Sequence, residues 1–171
     1  VPEPRDFPLG EVLEPLASEF RALAGEHGLS FAFVATRAWV HTDPQLLRRI
    51  LQNFLANAVR YTPASGSITV RWRWLDDGGA VFSVQDTGPG IDPKHVPRLT
   101  ERFYRVDHSR SRETGGTGLG LSIVKHVLQR HDAVLEIDSK PGRGSTFSVH
   151  FPASRVRKPH NALAMPTPGA G

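Results

Sequence analysis

The 171-residue sequence predicts an α+β fold, a two-layer α/β sandwich in which a mixed sheet of about five strands is covered on one face by three helices. Three observations lead there. Apolar residues recur at helical spacing in three stretches, they alternate with a period of two in several others, and the alternating stretches come in pairs joined by turn residues.

Taken in order, residues 1–9 read as a proline-rich linker, 10–152 as the folded domain, and 153–171, rich in Pro, Ala and Gly, as a disordered tail. In the first helix Val12, Leu13, Leu16, Phe20, Leu23 and Ala24 share one face, and either Gly25 or Gly28 ends it. Leu29 to Ala35 and Ala38 to Thr42 read as a strand pair turning at Thr36-Arg37. Asp43-Pro44 opens a second helix, because Asp can cap and Pro suits the first helical position, and it runs to about Tyr61. Ile68, Val70, Trp72 and Trp74 then alternate along a strand, Asp76-Asp77-Gly78-Gly79 supplies hairpin chemistry, and Ala80 to Asp86 is the partner strand. Residues 96–104 read as a short helix carrying Leu99 and Phe103, and the polar stretch 106–114 as a mobile flap. The third covering helix follows at Ser122 to His131. A last strand pair, Ala133 to Ser139 and Ser145 to Phe151, closes around Lys140-Pro141-Gly142-Arg143-Gly144.

Composition narrows the function. A net charge of +4 comes with arginines spread along the chain, no long basic run and little aromatic interleaving, so no nucleic-acid partner is expected. The absence of cysteine excludes a disulfide framework and a thiolate metal site, and fits a reducing compartment. No apolar run reaches the roughly 18 residues that cross a bilayer, so a soluble piece without direct membrane contact is expected. The chain starts at Val1 and its single Met is Met165, which reads as a fragment of a longer protein.

Three features carry chemistry. Gly115-Gly116-Thr117-Gly118-Leu119-Gly120 runs into an amphipathic helix, and its permissive backbone beside a helix N-terminus suits a phosphate. It is neither a P-loop, lacking Gly-Lys-Ser/Thr, nor the dinucleotide fingerprint, lacking a strand that feeds it. Within the second helix, Asn53, Asn57, Arg60 and Tyr61 form one stripe beside the core face of Leu47, Leu51, Phe54, Leu55 and Ala58. An amide oxygen there can ligate Mg²⁺ that keeps waters and shares nucleotide phosphates; a plain solvated face is the alternative. Asp86-Thr87-Gly88-Pro89-Gly90 ends an apolar strand, where the carboxylate can accept from the amino group of adenine and Gly88 and Gly90 let the backbone approach a flat base. A simple Asx turn is the alternative reading of that pentapeptide.

The order of these elements is itself informative. Asn53-x-x-x-Asn57-Ala58-x-Arg60-Tyr61, Asp86-x-Gly88-x-Gly90, Glu101 to Arg105, Gly116-Thr117-Gly118-Leu119-Gly120 and Gly142-x-Gly144-Ser145-Thr146-Phe147 together resemble the N, G1, F, G2 and G3 boxes of sensor histidine kinases, most nearly the phosphate-regulon sensors. The resemblance covers about residues 10–152 and implies the Bergerat ATP-binding fold, with ATP and Mg²⁺ as cofactors. It implies that Asn57 ligates Mg²⁺ with Asn53 in support, that Arg60 and Tyr61 face the phosphates, and that Asp86, Gly88 and Gly90 take the base. Gly116, Thr117, Gly118, Leu119 and Gly120 would close over the triphosphate, Thr146 would sit near the base and its waters, and Arg105 would stabilise the moving γ-phosphate. Phe103 and Tyr104 are expected to pack rather than react.

Related ATPases such as gyrase and the Hsp90 chaperones carry a glutamate where this chain has Asn53, an amide without useful basicity. Transfer to a protein acceptor is therefore implied rather than hydrolysis. None of the eight histidines stands in the family's His-Glu/Asp-Leu-x-x-Pro setting. The implied partners are a dimerisation and phosphotransfer domain of the same kinase, expected to precede Val1 and to make the intact protein a homodimer, and a response regulator. A cytoplasmic location beneath an inner-membrane sensor follows from the same resemblance. At the end of the third helix, where many relatives have glycine, Asp132 is expected to take the left-handed cap.

Overall fold

The structure is a computed structural model that describes residues 4–34, 37–101 and 121–158. Its largest layer is a five-stranded sheet in the order β2 (Ser30–Val34), β4 (Ser67–Trp74), β5 (Ala80–Asp86), β7 (Gly144–Phe151) and β6 (Val134–Lys140). The β2–β4 pair is parallel and the other three are antiparallel, which makes the expected mixed sheet. Ile68, Val70 and Trp72 of β4, Phe82 and Val84 of β5, and Val149 and Phe151 of β7 point to one face and are buried there. Three helices cover that face: α1 (Gly10–Glu26), α2 (Pro44–Tyr61) and α3 (Leu121–Arg130).

Local chemistry explains the helices. Asp43 caps α2, its Oδ1 accepting from the N–H groups of Gln45 at 2.9 Å and Leu46 at 3.4 Å, and Pro44 takes the first helical position. Leu47, Ile50, Leu51, Phe54, Leu55 and Ala58 form its buried stripe. Helix α1 runs past Gly25 to Glu26, and Gly28 then turns the chain at φ +73°. After α3, Asp132 adopts φ +59°, the left-handed cap expected of it, and Arg155 holds its carboxylate at 3.0 Å.

Four readings of the sequence are corrected. Residues 29–42 are not a hairpin: β2 lies in the large sheet, whereas β3 (Trp39–Thr42) is the middle strand of a second sheet, between β1 (Arg5–Pro8) and β8 (Val156–Arg157). Thr36-Arg37 lacks the Gly, Asn or Asp that a tight hairpin needs, and a short apolar run does not reveal which strand it pairs with. The linker reading of 1–9 fails at β1 (Arg5–Pro8), which pairs antiparallel with β3 and buries Phe7, while Leu9 beyond it is buried too. Likewise 153–171 is not all tail, because a 3₁₀ turn at Ala153–Arg155 leads into β8 (Val156–Arg157), whose Val156 is buried opposite Val40. Isolated apolar residues between prolines or arginines leave no period to read. The helix expected at 96–104 is one 3₁₀ turn, Val96–Arg98, as far as the description reaches. The flap at 106–114 lies outside the described residues.

The small sheet ties residues 5–8 and 156–157 to the rest of the fold. Asp6 on β1 accepts from Arg157 at 3.1 Å and pairs with His41 Nδ1 at 2.8 Å, while Thr42 Oγ1 and His131 Nδ1, just beyond α3, are 3.1 Å apart. Burial, and then the positive charge of Arg155, push the His131 pKa below its ordinary value. Among the described residues no helix is long and apolar enough to cross a membrane.

Candidate functional site

The polar stripe of α2 lies at the edge of its buried face. Asn53 is only 2% exposed, Asn57 and Arg60 are half-buried, and Tyr61 is exposed. One turn apart, the two asparagines meet: Asn57 Nδ2 donates to Asn53 Oδ1 at 3.2 Å. That bond fixes the Asn57 amide by its nitrogen and leaves its oxygen for another partner. A solvated face does not describe this arrangement, because the first asparagine is inside.

Strand β5 delivers Asp86 to the end of the same helix. Asp86 Oδ1 accepts from the N–H of Gly88 at 2.9 Å, the Asx turn that the sequence left open, and from the N–H of Ser145 at 3.2 Å. Both bonds fall on one oxygen, so Oδ2 remains to accept from an incoming donor. Burial pushes the carboxyl pKa up from its ordinary value, and the two backbone N–H groups work against that shift by favouring the anion. The loop abuts the end of α2: a β-carbon on Gly88 would stand 3.1 Å from the Tyr61 carbonyl oxygen.

The β6–β7 hairpin bolts this loop in place. Gly142 N–H donates to the Pro89 carbonyl at 2.8 Å, and Ile91 N–H donates to Ser139 Oγ at 2.8 Å, with the Ser139 and Ser145 hydroxyls 2.7 Å apart. Gly90, at φ +75°, lies so close to Lys140 that a β-carbon would collide with its carbonyl oxygen. The sequence reading placed Thr146 near the base, and the structure corrects it. Ser145 is the residue opposite Asp86, whereas Thr146 pairs with Gln85 and Asp138 and points to the other face of the sheet. Period-two counting back from Phe151, Val149 and Phe147 would have found Ser145. Ser139 was missed, and its role, like that of Gly144 from the fifth box, appears only once the hairpin meets the Asp86 loop.

Tyr61, Asp86, Gly88 and Gly90 are therefore brought together, with Asn57 and Arg60 within the preceding turn of α2. Arg105, Gly116, Thr117, Gly118, Leu119 and Gly120, like Phe103 and Tyr104, lie outside the described residues. Among the described residues no group of three His, Cys, Asp or Glu side chains could hold a metal ion.

A carboxylate anchored at the end of a buried strand beside an asparagine-bearing helix, on a mixed sheet covered by three helices, is the arrangement of an ATP-binding domain, and comparison with known families shows that class. The chain belongs to the histidine kinase-, DNA gyrase B- and HSP90-like ATPase family, whose model matches residues 42–155. Within that family it is similar to sensor histidine kinases. It is 64% identical over 110 residues to the phosphate regulon sensor protein PhoR of Pseudomonas aeruginosa, an overlap of 64% of this chain and 25% of that protein. The solved mycobacterial sensor histidine kinase MprB is 31% identical with a TM-score of 0.71, covering 89% of this chain and 97% of that one. Full-length ShkA, solved in complex with AMPPNP, is 29% identical with a TM-score of 0.74, covering 89% of this chain and 31% of that one. The chain spans about a third or less of the length of the curated relatives it matches.

Proposed function

We propose that this ATP-binding catalytic domain takes ATP·Mg²⁺ and transfers the γ-phosphate to a histidine on a separate dimerisation domain of the same kinase, which passes it to a response regulator. The observation that carries the reading is Asp86, whose Oδ1 is saturated by two backbone N–H groups while Oδ2 is left as an acceptor for the adenine amino group. Ser145, opposite Asp86, takes the place beside the base that was expected of Thr146. The AMPPNP bound by ShkA supports a triphosphate in this fold.

Asn57 fits the metal. Its neutral amide oxygen is a hard ligand, and the hydrogen bond from its nitrogen to Asn53 fixes which atom is presented. Mg²⁺ would there neutralise phosphate charge as the γ-phosphoryl moves. Arg60 and Tyr61 then meet the phosphates, the glycine stretch at 116–120 closes over them, and Arg105 stabilises charge in the transition state. Asn53 cannot deprotonate water, so transfer to a protein acceptor is favoured over hydrolysis. The intact protein is a homodimer whose kinase portion lies on the cytoplasmic side of an inner-membrane sensor.

Asn57→Ala should abolish the Mg²⁺-dependent part of nucleotide affinity while metal-free ADP binding stays within a few-fold. Equal losses with and without Mg²⁺, by calorimetry, would show a structural asparagine instead. The transfer itself is tested with radiolabelled ATP. The chain alone should stay unlabelled, and a fragment carrying the acceptor histidine should become labelled in trans, slowly, because separation forfeits the effective concentration of a tether. Arg105→Ala should lower that rate far more than nucleotide affinity. Stable labelling of the chain alone, or parental transfer by Arg105→Ala, would sink the reading.

A further inference from the structure

Thr62 is the residue on which α2 stops, and it is 5% exposed. Its two branches face different neighbours. Cγ2 lies 2.5 Å from where a β-carbon on Gly66 would stand, whereas Oγ1 lies 3.6 Å from the corresponding point on Gly88. That second point is also 3.1 Å from Asp86 Oδ1 and 3.1 Å from the Tyr61 carbonyl oxygen. The hydroxyl is thus turned toward the Asp86 loop, yet it has no hydrogen-bond partner among the described residues.

A buried hydroxyl without a partner is a net cost to folding, and valine would fill a similar outline without it. The other buried side-chain atom in that condition among the described residues is Trp72 Nε1, which packs among Trp74 and Phe151 in the core. Thr62 instead stands against the Asp86 loop. Of the three oxygens around Gly88, the ionised carboxylate and the carbonyl only accept, so the Thr62 hydroxyl is the one that can donate.

We propose that Thr62 is a base-reading residue. Its O–H donates, directly or across one bridging water, to the ring nitrogen N1 that neighbours the adenine amino group, while Asp86 Oδ2 accepts from the amino group itself. The pair then matches the acceptor and donor on one edge of the base. A purine without N1 leaves the hydroxyl without an acceptor. This inference rests on the nucleotide reading above and adds to it the residue that reads the second position.

The test is a cycle of calorimetric titrations with ATP and 1-deaza-ATP, in which a C–H replaces N1. The parental chain should bind ATP roughly five- to tenfold more tightly than 1-deaza-ATP. Thr62→Val should lose about that factor for ATP and bind 1-deaza-ATP as the parental chain does, and Thr62→Ser, which keeps the hydroxyl, should retain the parental preference. If Thr62→Val does not fold by circular dichroism, Thr62→Ala takes its place in the cycle with the same expectation. A variant lacking the hydroxyl that weakens both nucleotides equally, or neither, would overturn the role of Thr62 while leaving ATP binding intact. Failure of the parental chain to bind ATP at all would overturn the nucleotide reading, and this inference with it.

Discussion

Replacing Asp86 with asparagine is expected to lower ATP affinity at least tenfold, about 1.4 kcal/mol, and to leave the fold intact. Asparagine keeps an oxygen that can accept from the Gly88 and Ser145 N–H groups, so the loop retains its anchors. What changes is the other atom. An amide nitrogen replaces Oδ2 and opposes a donor with a donor, at a half-buried position where the mismatch is only partly screened. Stability should move the other way with pH. Burial raises the folded-state pKa of Asp86, so the stability linked to this group is fully present below the unfolded-state pKa and is lost as pH rises through the folded value. Asn57 and the remaining site being untouched, Asp86→Asn should be no less stable than the parental chain at neutral pH. Calorimetric titration and thermal melts at pH 7 check both halves, and unchanged ATP affinity would remove Asp86 from the site.

A larger effect on stability is expected at Gly144. It sits at φ +124°, a region that side chains with a β-carbon avoid, and a β-carbon there would collide with the Asp86 carbonyl oxygen. The obstacle is backbone of the adjacent strand, which cannot move aside without breaking the pairing of Asp86 with Ser145. Gly144→Ala should therefore cost about 3 kcal/mol or more, read as a lower urea midpoint at unchanged slope, and should weaken ATP binding with it. Gly142 is the internal control. At φ +80° it too is left-handed, but nothing lies within 4 Å of its would-be β-carbon, so Gly142→Ala should cost only about 1 kcal/mol of backbone strain. Equal losses at the two glycines would show that strain alone, and not the close approach to Asp86, decides the outcome.

The sequence by itself determined the elements whose signals are local. The Asp43-Pro44 start of α2, the 3.6-residue stripe of Leu47, Leu51, Phe54, Leu55 and Ala58, and the alternation of Ile68, Val70 and Trp72 each need only neighbours a few residues away, and each stands in the structure as read. The five ordered boxes likewise named the family, because spacing along the chain survives any uncertainty about pairing. Pairing partners were decided only by the tertiary structure. A four-residue segment such as Arg5–Pro8 or Trp39–Thr42 carries too little pattern to choose between sheets, and it is the burial of Phe7, Val40 and Val156 together that selects the second sheet. The same limit moved the residue opposite Asp86 by one, from Thr146 to Ser145, since strand register sets which side chain faces Asp86. Thr62 was invisible for a related reason. A hydroxyl's lack of a partner is a property of everything packed around it, and no spacing along the chain records it.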